Sequence, residues 1–428
     1  MKKTLIVLLT LTLLSILAAS CKKQEKAVAP EKLYSDIQKI QADMAYSSLK
    51  ELYDPEPFEQ LKADVMAGKA NRLDCVFRLK KLLSSYHVAH LYLSQQSSDP
   101  SAQFMIPLYF YCFEDGYHVF YTIEKYKKYL GWKLKEMAGL SVEEARDIIL
   151  DYYPYETLSG AKRRFERMFD YNQLKQAGLI GKRGRLKVVL ESPDGKTKTL
   201  SFKKENVATK AKIVYLCPKK ELCYHPYSLN ANYGILACKE KRTLYIPYKS
   251  CFGIPEYPVT ELFSDIKKEL QTGLYDTVVF DIRYNGGGMP RETIMFRHLF
   301  YNNRDEFQKC NLAVVTSGWT YSAACWFLND FIDVFPKAVI FGEETGEAVF
   351  NYTDVYFSNN LKTLQCDFFF PQAVDTQNER LMKRAAEVTH SSIYRGTMPD
   401  VEVHEKFEDF MNGEDTIYNA VYAYFNGK

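Results

Sequence analysis

Thr277-Val-Val-Phe-Asp-Ile-Arg-Tyr-Asn-Gly-Gly-Gly288 and Leu312-Ala-Val-Val-Thr-Ser-Gly-Trp-Thr-Tyr-Ser-Ala-Ala-Cys-Trp-Phe-Leu328 read as two consecutive strand–turn–helix units. In each, an almost unbroken apolar run of strand length stops at a turn, as expected inside a parallel sheet. The first turn is three bare glycines, and the second delivers Ser322 to the start of a helix. Glycines can offer unhindered backbone N–H groups to a developing oxyanion. A helix N-terminus favours negative charge. Together the turns hold what serine-based acyl transfer requires. A phosphate cradle fits less well, because the spacing is not GxGxxG and no GK[ST] follows. A serine at this position also serves as an ordinary helix N-cap.

Outward from this pair, residues 243–247, 312–316 and 338–341 read as strands, and 259–270, 291–301 and 322–335 as helices. Ala323, Phe327, Phe331 and Phe335 fall at spacing four on one helix face. Such alternation predicts right-handed crossovers, a parallel sheet and an α/β fold from about residue 210 onward. Upstream the texture differs. Residues 31–94 are rich in helical periodicity and poor in Pro and Gly. Residues 104–206 carry short alternating segments such as 117–122 and 185–190. Ser192-Pro-Asp-Gly195 marks a turn between two of them. Helices are expected at 142–150 and, as one long insert, at 158–179. Gly131-Trp-Lys-Leu-Lys-Glu-Met-Ala-Gly139 resembles the middle of a PDZ domain, which implies a divergent PDZ-like module, either able to take up extended peptide ends or a structural β-domain without peptide binding.

At 428 residues and a formal charge of +3, the chain is long enough for two to three domains and carries no basic signature of nucleic-acid binding. Lys2, Lys3 and the apolar stretch 5–17 form an export signal too short for a membrane span. Ala18-Ala-Ser-Cys21 resembles a bacterial lipoprotein signal, which implies lipidation of Cys21 and a location in the cell envelope, on an outer membrane. Without Cys21 the cysteines are odd in number, so they cannot all pair. Cys217, Cys223 and His225 lie close together but lack a second ligand pair at zinc spacing, so no metal site is expected.

Several motifs, in order, resemble those of the S41 peptidases, the tail-specific or C-terminal processing protease family. Phe280-Asp-Ile-Arg-Tyr-Asn-Gly-Gly-Gly288 is similar to the family's DLRxNGGG element, and Thr320-Tyr-Ser-Ala323 to its nucleophile turn. Ala338-Val-Ile-Phe-Gly-Glu-Glu-Thr-Gly346 and Met398-Pro-Asp-Val-Glu-Val403 with Gly413-Glu-Asp415 resemble the elements that follow. The resemblance implies a crotonase-like α/β catalytic core over 210–428. A tether and helical cap over 22–95 and the PDZ-like module over 96–209 would precede it, after a signal peptide over 1–21. It implies Ser322 as nucleophile, with oxyanion donors from Gly287 or Gly288 and from Ala323. The lysine used by one branch of the family has no counterpart near Gly346-Glu-Ala348. Ser85-Tyr-His-Val-Ala-His90 is similar to the histidine element of the other branch, which makes His90 the base and His87 the fallback. Glu343 is the implied third group, with Glu344 and Glu347 as alternatives. Tyr284 departs from the family pattern, where a small residue is usual. The function implied is a serine endopeptidase acting on peptides or proteins, without a cofactor. The competing reading is an inactive lipoprotein on the same scaffold that binds peptides or glycans.

Overall fold

Strand Thr277–Asp281 is buried at every position, and its side chains divide between two cores. Val278 and Phe280 face a cluster built with helices Val259–Gln271, Pro290–Asn302 and Ala323–Val334. Val279 faces the opposite cluster, where Ile417, Tyr418 and Val421 of helix Thr416–Asn426 pack. A strand covered on both faces has no use for polar alternation, which is why its sequence reads as a continuous apolar run. The computed structural model describes residues 28–207, 212–220, 225–226, 230–376 and 395–427. The expected signal sequence over 1–21, with Cys21, lies outside these residues, as does Cys223.

Among the described residues the sheet has six strands, in the spatial order Leu236–Cys238, Thr243–Pro247, Thr277–Asp281, Asn311–Thr316, Val339–Gly342 and Val401–Glu402. Only the first pairing is antiparallel. Spatial order follows chain order, with helices in three of the crossovers, as the alternation predicts. One face is filled with aromatic rings. Phe280 lies 5.6 Å from Phe327 and 5.3 Å from Phe331 between ring centroids.

Two further units complete the molecule. Residues 104–215 supply a nine-stranded sheet that includes the hairpin Leu186–Glu191 and Thr197–Phe202 around the predicted turn. The long helix expected at 158–179 is instead two short helices, Leu158–Arg164 and Tyr171–Gln176. The strand Met168–Asp170 between them joins Phe104–Phe113, and Asp170 caps the second helix by accepting from Gln173 N–H at 2.7 Å.

The expected helical stretch 31–94 is three helices, Pro30–Tyr46, Glu56–Met66 and Arg72–Ser84, followed by the strand Tyr92–Gln95. That strand is drawn into a sheet with Cys366–Thr376 and Phe350–Leu361, and Tyr92 stacks on Phe369 at 4.5 Å. The cap core therefore joins Leu33, Ile37 and Phe58 from the N-terminal helices to Leu361, Leu364 and Phe368. Residues of the stretch expected as catalytic core, Leu361 to Phe370, thus pack in the core of the N-terminal helices. Among the described residues no helix is long and apolar enough to cross a membrane.

Candidate active site

Strands Thr277–Asp281 and Asn311–Thr316 run parallel and in register, with Phe280 beside Val314 and Asp281 beside Val315. Their C-terminal ends therefore release the glycine turn and the Ser322 turn side by side, the usual place for a site in an open parallel sheet. Asn285 ties the two turns together. Its backbone carbonyl accepts from Tyr321 N–H at 3.0 Å, its Oδ1 from Gly287 N–H at 3.0 Å, and its Nδ2 donates to the Tyr248 carbonyl at 2.9 Å. Thr320 does the same from the other side, its Oγ1 donating to the Ile282 carbonyl at 2.9 Å and accepting from Ser317 N–H at 3.0 Å. The Asn and Thr of the two motifs are thus explained by hydrogen bonding rather than by reactivity.

Ser322 sits at φ 56° and ψ −129° and caps nothing with its side chain. The N-cap explanation of this serine therefore fails, and the strain has to be held by its surroundings. A serine on a strained strand-to-helix turn is the arrangement of a nucleophile elbow, and Ser322 is part-exposed. Gly287 explains how the turns approach so closely. A Cβ there would lie 2.7 Å from Ser322 Cβ and 2.8 Å from the Tyr321 carbonyl oxygen, at a φ of 95° that side chains rarely adopt. Gly287→Ala is expected to cost about 1–3 kcal/mol of stability and to displace Ser322. Urea unfolding and serine-directed labelling, run together, check both effects.

The predicted oxyanion donors divide. Gly287 N–H is already given to Asn285 Oδ1. The N–H groups of Gly288 and Ala323 donate to no acceptor among the described residues. Gly287 is thus the spacer of this turn, and Gly288 and Ala323 are its available donors.

His90 reaches the site from the loop between helix Arg72–Ser84 and strand Tyr92–Gln95, and it is buried. Its Nδ1 lies 3.1 Å from the Tyr321 hydroxyl, which donates to Glu156 Oε1 at 3.2 Å. With that proton committed to Glu156, the Tyr321 oxygen accepts from Nδ1–H, which leaves the imidazole lone pair on Nε2. Glu347 Oε1 stands 3.7 Å from the same Nδ1. Glu156 also accepts from Ala89 N–H and Ala348 N–H, each at 2.9 Å. Burial pushes its carboxyl up to about 7. His90 and Ser322 line a common cavity of about 500 Å³. The fallback, His87, is exposed and lines another cavity, packed edge-on to Tyr155 at 5.2 Å.

Glu343 is not brought to the histidine. Its carboxylate pairs with Arg163 Nη2 at 2.9 Å and with His404 Nδ1 at 2.8 Å. Burial alone would raise this carboxyl, yet Arg163 and His404 hold it at about 2. Glu344 accepts from Gly396 N–H at 3.0 Å, and burial pushes it up. Past them the chain squeezes by Gly318. A Cβ on Gly346 would lie 2.1 Å from the Gly318 carbonyl oxygen. Beyond that contact, Glu347 comes round to His90. Sequence reasoning missed Glu156 and Tyr321. Tyr321 is the unspecified position of the nucleophile turn, and Glu156 lies in the β-rich part of the sequence with no motif around it.

Tyr284, the departure from the family pattern, has a partner that accounts for it. Its hydroxyl donates to Glu405 Oε2 at 3.0 Å and meets the Tyr111 hydroxyl at 2.6 Å, which joins the glycine turn to the nine-stranded sheet.

No protein-family model matches the sequence, and no curated protein matches it. Among solved structures, mature CPAF complexed with lactacystin has a TM-score of 0.62 at 11% identity, covering 93% of this chain and 98% of that one. Mature CPAF alone has a TM-score of 0.58 at 11% identity, covering 92% and 96%. The photosystem II D1 C-terminal processing protease has a TM-score of 0.41 at 13% identity, covering 88% and 93%. The two CPAF matches show a shared fold, the S41- and CPAF-like peptidase fold that the motifs predict.

Proposed function

We propose that this chain is a serine peptidase of S41 type that cleaves peptide bonds through an acyl-enzyme on Ser322. The observation that carries the reading is the strained Ser322 held against the glycine turn, in one cavity with His90. Ser322 Oγ attacks the scissile carbonyl and its proton passes to His90 Nε2. The tetrahedral oxyanion takes hydrogen bonds from Gly288 and Ala323 N–H. His90 then protonates the leaving amine, and water hydrolyses the ester. Tyr321 hands the orientation of His90 on to Glu156, and Glu347 stands close enough to balance the imidazolium. In this scheme the carboxylates beside the base are Glu156 and Glu347, and Glu343 is structural. The signal sequence and Cys21 support export and lipid anchoring at the cell envelope.

The test is labelling with a fluorophosphonate probe, with wild type beside Ser322→Ala and His90→Ala. Labelling of wild type that disappears in both variants is expected. A folded wild type that does not label removes the hydrolase reading.

The pH profile is expected to run in two directions at once. Ionised Glu156 favours the imidazolium, so kcat/KM should rise with pH through about 7. The same raised carboxyl makes the folded state bind the extra proton. Stability should therefore fall as pH rises from about 4.5, the ordinary glutamate range, toward about 7, and then level off. In Tyr321→Phe, which cuts the link from Glu156 to His90, the midpoint of the activity rise should shift, while the rise that comes from His90 acting as the base remains. A wild-type profile flat across that range would remove Glu156 from the mechanism.

A further inference from the structure

The cavity shared by His90 and Ser322 has a one-sided charge. Lys80, Arg164 and Arg167 line it, and no Asp or Glu is among its lining residues. The three cations come from separate places. Lys80 lies on helix Arg72–Ser84, Arg164 ends helix Leu158–Arg164, and Arg167 precedes strand Met168–Asp170. None of the three forms a salt bridge among the described residues. Lys80 Nζ donates to Gln95 Oε1 at 3.1 Å. The Arg164 guanidinium lies 5.7 Å from the centre of the Tyr321 ring. The Arg167 guanidinium lies 3.8 Å from the centre of the Tyr153 ring, and its Nε donates to the Arg164 carbonyl. Rings and backbone position these guanidiniums, buried Glu156 acts on Arg164 through space without a direct ion pair, and each guanidinium retains N–H donors for a planar, bidentate acceptor. Burial lowers the Arg164 pKa, and neighbouring Arg167 adds to that while Glu156 opposes it.

The same cavity is walled by Tyr92, Leu93, Ser94 and Gln95, the edge strand of the three-stranded sheet. An edge strand can take up an extended peptide through its main chain, which would carry the peptide's side chains past the cations.

We propose that the cleft selects peptides carrying a carboxylate close to the bond to be cut, bound by Arg164 and Arg167 with Lys80 adding to the field. The inference rests on the reading of Ser322 as the reactive residue of this cavity. The carboxylate can come from an Asp or Glu side chain or from the peptide's own C-terminus, and the chemistry at the guanidiniums is the same.

The experiment uses the full chain and matched fluorescent peptides: an acidic peptide against its Asn/Gln counterpart, both amidated, and a neutral peptide with a free against an amidated C-terminus. kcat/KM is measured on wild type and Kd on Ser322→Ala. A preference of about tenfold or more for the carboxylate member of a pair is expected, the scale of a charge-assisted bidentate bond. It should shrink with added salt and fall toward unity in Arg164→Gln and Arg167→Gln. Arg164→Glu should favour a lysine-bearing peptide instead. The pair that shows the preference identifies side chain or tail as the source.

Equal Kd for both members of both pairs at low salt overturns the inference, whatever the turnover. The two readings fail separately. Carboxylate-dependent binding without labelling or cleavage keeps the cleft and removes the peptidase. Cleavage that ignores charge does the reverse. The salt dependence needs no cavity variant, so a misfolded arginine mutant leaves the question decidable.

Discussion

Ser322→Gly is expected to abolish hydrolysis and make the protein more stable. The serine is held at φ 56° and ψ −129°, where a side chain is strained and glycine is not. Such a residue stores on the order of 1–3 kcal/mol, and its hydroxyl caps no helix N–H that would offset the loss. Urea unfolding should therefore show the variant about 1 kcal/mol more stable. Loss of a catalytic serine costs on the order of 10⁶ in kcat where serine and base act as a unit. The two effects in opposite directions separate a reactive residue from a structural one. A variant that is inactive because it is unfolded would sink the argument. So would a folded variant that still turns over peptide, since the nucleophile would then lie elsewhere.

Arg283→Met is expected to be the most damaging substitution for stability. Arg283 is 1% exposed and its guanidinium is shared among three buried carboxylates. It meets Asp281 Oδ2 through Nε at 2.8 Å, Glu405 Oε1 through Nη1 at 3.0 Å and Asp415 Oδ2 through Nη2 at 2.7 Å. Tyr245 donates to Asp281, and Tyr111 to Glu405. Methionine fills similar space but leaves the carboxylates facing one another in a dry site. Breaking a buried pair in this way costs about 3–5 kcal/mol.

The pH dependence carries the sign. Burial would raise the Glu405 carboxyl, but His225 and Arg283 hold it far below the ordinary range. In wild type that contribution is present above about pH 4.5 and fades as pH falls. In the variant the carboxylates lose their cation, so protonation relieves the repulsion and acid becomes favourable. The gap between the two proteins should narrow from pH 7 toward about pH 4, as read by urea midpoints. A gap constant with pH would mean that lost packing, not charge, accounts for the damage.

Legibility from the sequence followed the range of the interaction. The core was legible because Val278, Phe280, Val314 and Phe327 obey local periodicity, and the turns because Gly287 and Ser322 obey local geometry. The cap was half legible. Its helices have a pattern, but Tyr92–Gln95 becomes a strand only because Cys366–Thr376 lies beside it. Residues 158–179 carry a helical pattern, yet the sheet claims Met168–Asp170. The carboxylates beside His90 were the least legible. Among neighbouring glutamates in Gly342-Glu-Glu-Thr-Gly-Glu347, the choice depends on which way the chain turns past Gly318, and Glu156 arrives from a different part of the fold. Arg163 took the residue that the motif favoured.

The pairing of Tyr92 with Phe369 bears on the protein's life before it is finished. His90 sits on the approach to that strand, so on the proposed mechanism the base is docked only once residues 366–376 have been made and folded back. On the proposed mechanism, a chain not yet folded back to this strand holds Ser322 without its base. In that scheme the reactive state begins only once the hairpin of Phe350–Leu361 and Cys366–Thr376 has closed over the first helices.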